Sequence, residues 1–409
     1  MKAVVFTLGC KVNSRESAEI ASGLAARGYE VSDELGYADL FVINTCAVTA
    51  EAEKKSRQAI ARVKKFNPDA KIVVCGCASQ RDPEAFSDKG AFVVVGARDK
   101  DKLFDLIDIG GIDVAESNAY CERYLPAKSS RTREYIKIQD GCNNFCSYCI
   151  IPYLRGRSVS REKQKIKEEI LHLAPAEAVI TGINVSDYHC GEDDLASLTE
   201  YLSDLNCRIR FGSLEVRVIT EKFLHATKKL KDFAPHFHLS LQSGSDAILK
   251  SMNRHYTCAE YAEKVALIRE FYPDAAITTD VIAGYSTETD EEFEKSYNFC
   301  KKIEFSDIHC FPYSVRKGTA GAKLKPIADE VKKARLNKML ELKRELKDKY
   351  IEKHLGKTLE FIAEDEENGY FGGYTENYIR VYVKEKPCDK FKVRLTEKYL
   401  DGALGEVVK

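Results

Sequence analysis

Cys142, Cys146 and Cys149 stand within eight residues, in the run Gly141-Cys142-Asn143-Asn144-Phe145-Cys146-Ser147-Tyr148-Cys149. Thiols separated by three and then two residues in a short polar loop can converge on one small inorganic object. Thiolates are the usual protein ligands of [4Fe–4S] centres, and three of them leave a fourth iron open for a substrate or cosubstrate. A closed structural zinc site needs four ligands, and no fourth Cys or His lies nearby in the sequence. Treating the thiols as small buried hydrophobes does not explain their crowding beside asparagines.

A second set of thiols is spread out. Cys10 stands in Thr7-Leu8-Gly9-Cys10-Lys11-Val12-Asn13, Cys46 in Asn44-Thr45-Cys46-Ala47-Val48-Thr49, and Cys77 in Val74-Cys75-Gly76-Cys77-Ala78. Each follows a short apolar, strand-like run (3–8, 39–44, 71–74), a fourth run lies at 92–95, and helical stretches at 14–27 and 50–65 intervene. The alternation predicts a small doubly wound parallel sheet of flavodoxin-like type, whose strands share one carboxyl-terminal rim where ligands bind. Three thiols delivered to that rim make a second cluster site. Cys75 should face the same side as Cys77 by strand alternation. Cys77 is taken as the ligand because Gly76 lets the chain turn just before it.

These residues need a large frame, and 409 residues supply two or three domains with cores of their own. No run of eighteen apolar residues and no signal-peptide pattern is present, so the chain is read as cytoplasmic with no membrane partner. In that compartment fourteen cysteines point to metal or redox chemistry rather than disulfides. A formal net charge of −1 predicts no nucleic-acid partner by itself, so any basic surface must be local. A polar basic linker at 123–133, with Pro126 and Lys128-Ser129-Ser130, marks a boundary. Beyond it come strand candidates at 135–139, 178–181, 208–212, 236–240, 276–283 and 307–311, with helices at 163–173, 195–205, 221–231, 259–271 and 291–303. Six β/α units predict a partial barrel with its active site at the carboxyl ends of the strands, and the cluster loop follows the first of them.

Past Pro326 a helix over 329–353 is dense in Lys and Arg, with ten of them against five Asp or Glu between residues 323 and 349. Residues 355–409 then read as all-β, with strands at 358–363, 378–383 and 391–395 and Gly372-Gly373 as a turn signal. A module of this size fits a small OB-like barrel. Tyr370, Phe371, Tyr374, Tyr378, Arg380, Tyr382 and Lys384 interleave aromatic and basic groups, which suits base stacking beside phosphate contacts. By alternation half of the aromatics belong to the barrel's own core.

The C-x3-C-x2-C spacing with Tyr148 before the last Cys resembles the radical S-adenosylmethionine (SAM) superfamily. That resemblance implies that the open iron chelates the amino and carboxylate groups of SAM, with Tyr148 near its adenine. Further strand-end residues are candidates for holding SAM. Gly182 allows close backbone approach to the methionine end, Ser213 and Glu215 could bond a ribose, Gln242 and Ser243 sit in a polar turn at a helix start, and Gly284 ends an apolar wall for adenine. A turn or capping role is the competing reading for each.

Over its whole length the chain resembles the methylthiotransferases. The likeness rests on residues 7–13, 44–49, Gly76-Cys77, 140–156, 239–246, Met252-Asn253-Arg254, Pro312-Tyr313-Ser314 and 373–381. It implies an amino-terminal methylthiotransferase domain (1–124), a partial (β/α)6 radical SAM barrel (125–354) and a carboxyl-terminal TRAM domain (355–409). It also implies two [4Fe–4S] clusters, an auxiliary one on Cys10, Cys46 and Cys77 and a SAM-cleaving one on Cys142, Cys146 and Cys149. In the implied reaction one SAM methylates sulfur on the auxiliary cluster, and a second is cleaved to the 5′-deoxyadenosyl radical that starts attack of methylthio sulfur on adenine C2. An aromatic C–H is not acidic, so a radical route fits. The implied partners are a tRNA anticodon stem-loop and a low-potential electron donor.

Gly9-Cys10-Lys11-Val12-Asn13 and Cys142-Asn143-Asn144-Phe145-Cys146 look most like the branch acting on N6-threonylcarbamoyladenosine. The isopentenyladenosine and ribosomal-protein branches usually carry other residues there. Without a carboxyl-terminal membrane helix the chain looks like the bacterial form. Gly284-Tyr285-Ser286-Thr287-Glu288-Thr289 departs from the usual Gly-Phe-Pro-Gly-Glu-Thr, and Val216 stands where Pro commonly follows. A non-catalytic iron–sulfur RNA-binding protein is the alternative of another class, and an assay for 5′-deoxyadenosine separates the two.

Overall fold

The computed structural model describes residues 1–114, 123–127 and 132–408. The Lys128-Ser129-Ser130 tract of the expected linker lies outside the described residues. Six parallel strands, β1 (Lys2–Thr7), β2 (Glu30–Ser32), β3 (Leu40–Thr45), β4 (Lys71–Gly76), β5 (Val93–Val95) and β6 (Gly111–Asp113), form one sheet in the order β2-β1-β3-β4-β5-β6. The first five follow the flavodoxin order, and β6 adds an edge. Strand β3, Leu-Phe-Val-Ile-Asn-Thr, is buried at every residue, as an apolar run covered on both faces must be. Helix α1 (Lys11–Ala26) leaves directly from β1, with Cys10 as its N-cap.

One alternation argument fails here. Cys75 packs with Ala3, Val5, Val42 and Val73 on one face of the sheet, whereas Cys77 joins Ile43, Ile72, Val74 and Ala78 on the other. Gly76 is the cause: its φ of +109° turns the chain, so the residue after it is delivered to the opposite side. A Cβ there would stand 2.4 Å from the Thr45 carbonyl oxygen, so only glycine fits.

The second unit is an open barrel made of two four-stranded sheets. Arg133–Asp140, Glu177–Gly182 and Arg208–Phe211 run parallel, with Val159–Ser160 antiparallel at the edge. Ser213–Leu214, His236–Leu239, Ala276–Ala283 and Asp307–Pro312 make the other sheet, all parallel. The chain crosses from one to the other at Gly212, where a Cβ would press on the Ile180 carbonyl at 3.1 Å. Helices cover the outside, among them Lys163–Leu173, Glu221–Lys229, Cys258–Phe271 and Asp290–Ile303, and one apolar core runs through the unit.

The tail is a closed five-stranded barrel, ordered Thr358–Glu367, Tyr370–Thr375, Arg380–Val383, Gly402–Val407, Lys390–Tyr399. Its core is aliphatic, built on Ile379, Val381, Val383, Val393 and Leu395 around Phe361. Gly372 and Gly373 are strand residues, not a turn. A Cβ on Gly373 would meet the Ile362 carbonyl oxygen at 2.0 Å, so the glycines permit close strand approach in a narrow barrel. The hairpin turn is Asn368-Gly369, both at positive φ, the two-residue arrangement that suits strand twist.

Helix Asp329–Glu352 braces the barrel rather than presenting a free basic face. Six of the eight Lys and Arg on this helix have acidic partners: Lys332 with Asp329, Arg335 with Glu288 and Asp290, Lys338 with Glu294, Lys343 and Lys347 with Asp307, and Lys349 with Glu304. Such pairs cannot be read from local charge counts, because most of the acids come from distant elements. Among the described residues no helix is long and apolar enough to cross a membrane.

Candidate functional site

One cavity of about 730 Å³ is lined by all six predicted thiols, three from each set. Its upper wall is the rim of the first sheet. Cys10, Cys46 and Cys77 follow β1, β3 and β4, three neighbouring strands, so parallel pairing alone brings them together. Gly9 permits the approach, since a Cβ there would lie 2.9 Å from Cys46 Sγ. Asn13 fixes both turns by donating from Nδ2 to the carbonyls of Leu8 (2.7 Å) and Thr45 (3.0 Å).

The facing wall is the 142–149 loop, pinned at three points. Cys142 N–H donates to Gly156 O (3.1 Å), Ser147 N–H to Met252 O (3.0 Å), and Asn253 Nδ2 to the carbonyls of Asn144 (3.1 Å) and Phe145 (3.2 Å). Tyr285, which stands where the resemblance leads one to expect Phe, adds a bond between its hydroxyl and Ser147 Oγ (2.7 Å).

Each thiol set has one buried arginine. Arg155 donates from Nε to Cys77 Sγ at 3.3 Å, and Arg254 from Nη1 to Cys146 Sγ at 3.3 Å. Arg155 is also the knot between the first two units: it binds Asn13 and Glu16 of α1 and Asp140 of the barrel, all at 2.9–3.0 Å. Lys137 joins Glu16 and Asp140 at 2.6 Å each, and Lys100 closes on Glu16. Burial by itself would push the Glu16 carboxyl up, but Arg155, Lys100 and Lys137 outweigh it and hold the group well below the usual range. Charges this deep persist only when paired on every side.

Of the residues proposed to hold SAM, Tyr148, Gly182, Ser213, Glu215 and Gln242 line the cavity. Glu215 accepts from Arg254 Nη1 (3.1 Å), Arg217 Nε (2.9 Å) and Asn144 Nδ2. Ser243 and Gly284 lie elsewhere. Ser243 is fully buried in a turn, where its hydroxyl accepts from Ser245 N–H at 3.3 Å. Gly284 packs under Lys332 and donates its N–H to Glu288 at 2.8 Å. A polar turn and a glycine at a strand end serve local geometry as readily as a ligand.

The donor set suits iron–sulfur clusters. Burial pushes the Cys46 and Cys142 thiols up to about 11 and Cys149 up to about 12, so as bare thiols they are protonated at neutral pH, and metal binding would release those protons. SAM also has a place, because Arg254 Nη2 is buried beside the loop with no hydrogen-bond partner among the described residues. A buried guanidinium nitrogen left unpaired calls for an acceptor from a ligand.

The cavity floor was not foreseen. Arg210 grips Glu177 through two bonds (2.7 and 2.9 Å) and donates to His236 Nδ1 at 3.1 Å. An arginine can only donate, so His236 accepts there and gives its Nε2–H to Thr278 Oγ1 (2.8 Å). The Thr278 hydroxyl is then left for His238 Nδ1 (2.9 Å), and His238 Nε2 reaches Asp280 at 3.1 Å. His309 stands 3.5 Å from the same carboxylate. His238, Asp280 and His309 are near enough to share a cation, but this direction of donation spends the His238 proton on Asp280 and makes them a hydrogen-bonded group.

Tyr378 of the tail barrel closes the floor. At φ +65° it stacks on His236 with centroids 4.0 Å apart and planes 4° from parallel, and Arg210 lies over its ring at 4.6 Å. From it an aromatic and arginine ladder runs onto the outer face of the tail. Tyr374 stacks on Tyr378 at 4.6 Å, Arg380 lies over Tyr374 and Tyr382, and Tyr382 meets Tyr399 at 5.3 Å. The tail's core is thus aliphatic, and most of the expected aromatics face outward.

Residues 2–96 match the family described as uncharacterized protein family UPF0004, and residues 136–300 match the radical SAM superfamily. The chain is 39% identical to the threonylcarbamoyladenosine tRNA methylthiotransferase MtaB of Bacillus subtilis, over 94% of this chain and 91% of that one. It is 36% identical to the Aquifex aeolicus protein of the same name, over 93% and 96%. A tRNA-2-methylthio-N(6)-dimethylallyladenosine synthase of Thermodesulfovibrio yellowstonii is 34% identical, over 98% and 97%. Among solved structures, the radical SAM methyltransferase TsrM of Kitasatospora setae shares the fold, with a TM-score of 0.57 at 14% identity over 76% of this chain and 73% of that one.

Proposed function

This chain belongs to the radical SAM tRNA methylthiotransferases, and from that premise we propose that it adds a methylthio group to C2 of N6-threonylcarbamoyladenosine beside the tRNA anticodon. The observation that carries the proposal is the single cavity into which two separate thiol triads open. In this reading Cys142, Cys146 and Cys149 hold the cluster that engages SAM, and Cys10, Cys46 and Cys77 hold a second, auxiliary [4Fe–4S] cluster. When bound, these groups supply the electron that cleaves SAM and the sulfur that is methylated and transferred, SAM being both methyl donor and radical source. A low-potential electron donor must feed the site, and the cytoplasm is the compartment proposed.

The chain's own residues orient and exclude. Arg254 and Glu215 fix the polar end of SAM, while Tyr148 and Gly182 shape the wall beside it. Arg155, locked by Glu16 and Asp140, holds the first sheet against the barrel so that both triads face one space. The outward ladder of Tyr374, Arg380, Tyr382 and Tyr399 suits the splayed bases of an anticodon loop.

The test is mass spectrometry of tRNA nucleosides from a strain lacking the gene, with the purified protein assayed anaerobically for 5′-deoxyadenosine. The expected result is loss of the 2-methylthio form of N6-threonylcarbamoyladenosine alone. Loss of the methylthio form of isopentenyladenosine instead would move the chain to the other branch, and absence of SAM cleavage under strong reductant would remove the enzymatic reading.

A further inference from the structure

We infer that Lys11 is a specificity-determining residue whose ammonium takes the carboxylate of the threonylcarbamoyl group. The inference rests on the substrate proposed above and adds the contact by which it is chosen.

Five cationic side chains line the cavity: Lys11, Arg133, Arg155, Arg210 and Arg254. Each arginine has its acid. Arg155 is held by Glu16 and Asp140, Arg210 by Glu177, Arg254 by Glu215, and Arg133 by Glu364. Lys11 has no carboxylate within 4.0 Å among the described residues. It stands at the start of α1 and lines the same cavity as Arg133, Arg210 and Asp280. The two acids nearby are already engaged, Glu177 by Arg210 and Asp280 by His238 and His309. Lys11 is exposed into this open cavity, so its ammonium is available to an anion that a ligand brings in.

Position says which anion. Lys11 directly follows Cys10, one of the thiols proposed to hold the auxiliary cluster that would supply the sulfur for adenine C2. On the adenine ring C2 and the carbon bearing N6 both flank N1. A base that offers C2 to the rim of the first sheet therefore brings its N6 substituent out along the same rim. The threonylcarbamoyl group ends there in a carboxylate. Neither an unmodified N6 amine nor an isopentenyl group carries any charge, so a lysine at this place separates the threonylcarbamoyl group from both.

The experiment compares anticodon stem-loop RNAs that carry N6-threonylcarbamoyladenosine, its methyl ester, isopentenyladenosine or plain adenosine, bound and turned over by the full chain with its clusters reconstituted. Wild type should bind the acid about 10- to 100-fold more tightly than the ester, as expected for a charge-assisted bond in a cavity. Lys11→Met should bind acid and ester alike, and Lys11→Arg should restore most of the preference. Wild type that does not separate acid from ester overturns the assignment without any variant being made. A Lys11→Met protein that keeps the full preference overturns it too. If Lys11→Met loses iron, the wild-type ratio and the Lys11→Arg ratio decide, and an arginine variant with its iron but without the preference counts against the assignment. Wild type that methylthiolates the isopentenyl RNA and ignores the threonylcarbamoyl one instead overturns the substrate reading.

Discussion

Cys142, Cys146 and Cys149 come from one loop, whereas Cys10, Cys46 and Cys77 come from three strand ends and meet only after β1, β3 and β4 have paired. The loop triad is held by short-range bonds, such as Cys149 N–H to Cys146 O at 2.9 Å, with a brace from residues 252–253. The strand triad is held by sheet register and by Arg155, whose partners span both units. One site is thus set by local conformation and the other by long-range assembly. A fault in docking the first sheet on the barrel should therefore disable the second before it touches the first.

The largest effects separate the two triads by activity. Replacing Cys10, Cys46 and Cys77 together by Ala should abolish methylthiolation while SAM is still cleaved to 5′-deoxyadenosine. Replacing Cys142, Cys146 and Cys149 should abolish both, as product analysis under reductant will show. Next comes the knot. Arg155→Met leaves Glu16 and Asp140 buried with fewer cations, a loss of about 3–5 kcal/mol. Thermal melts should show the destabilisation, and iron should be lost from the strand triad first. Arg254→Met, at the other triad, should instead raise the KM for SAM roughly tenfold and lower the melt less than Arg155→Met does, because Arg217 stays on Glu215.

A smaller effect concerns acid. Glu169 of the barrel is buried against Arg15 of α1 (2.8 Å) and Arg161 (2.7 Å), so it also ties the two units together. Burial would raise its carboxyl, but the two arginines hold it below the ordinary 4.5. A carboxylate depressed in the folded state contributes fully above its unfolded pKa and loses that contribution as pH falls through the folded one. Stability from this contact should therefore be level down to pH 4.5 and decline below it. Glu169→Gln should remove that share of the acid slope in denaturant titrations. The smallest effect belongs to Cys75, which sits on the far face of the sheet. Cys75→Ala should cost about 1–2 kcal/mol and leave iron content unchanged.

The same contrast explains what could be read from the sequence. The loop triad is legible because its spacing is its geometry. The strand triad is legible because apolar runs announce strands and parallel strands share a rim, although alternation put Cys75 on the wrong face once Gly76 turned the chain. Gly372 and Gly373 look like a turn until the barrel's width is known. The cations of Asp329–Glu352 look free because their acids, such as Asp307 and Glu304, lie on other elements. Arg155 and Arg254 stand inside motifs that the sequence offers, but nothing local says that each reaches a thiol. The floor chain from Arg210 to Asp280 comes from three strands, and Tyr378 comes from another module, so no window of sequence contains them.

The most direct measurement is iron and acid-labile sulfide per chain after anaerobic reconstitution, in wild type and in the two triple-alanine variants. Two [4Fe–4S] centres require about eight irons in wild type and about four in each variant. Retention of about eight irons by either variant, or about four in wild type, would contradict two separate clusters opening on one cavity.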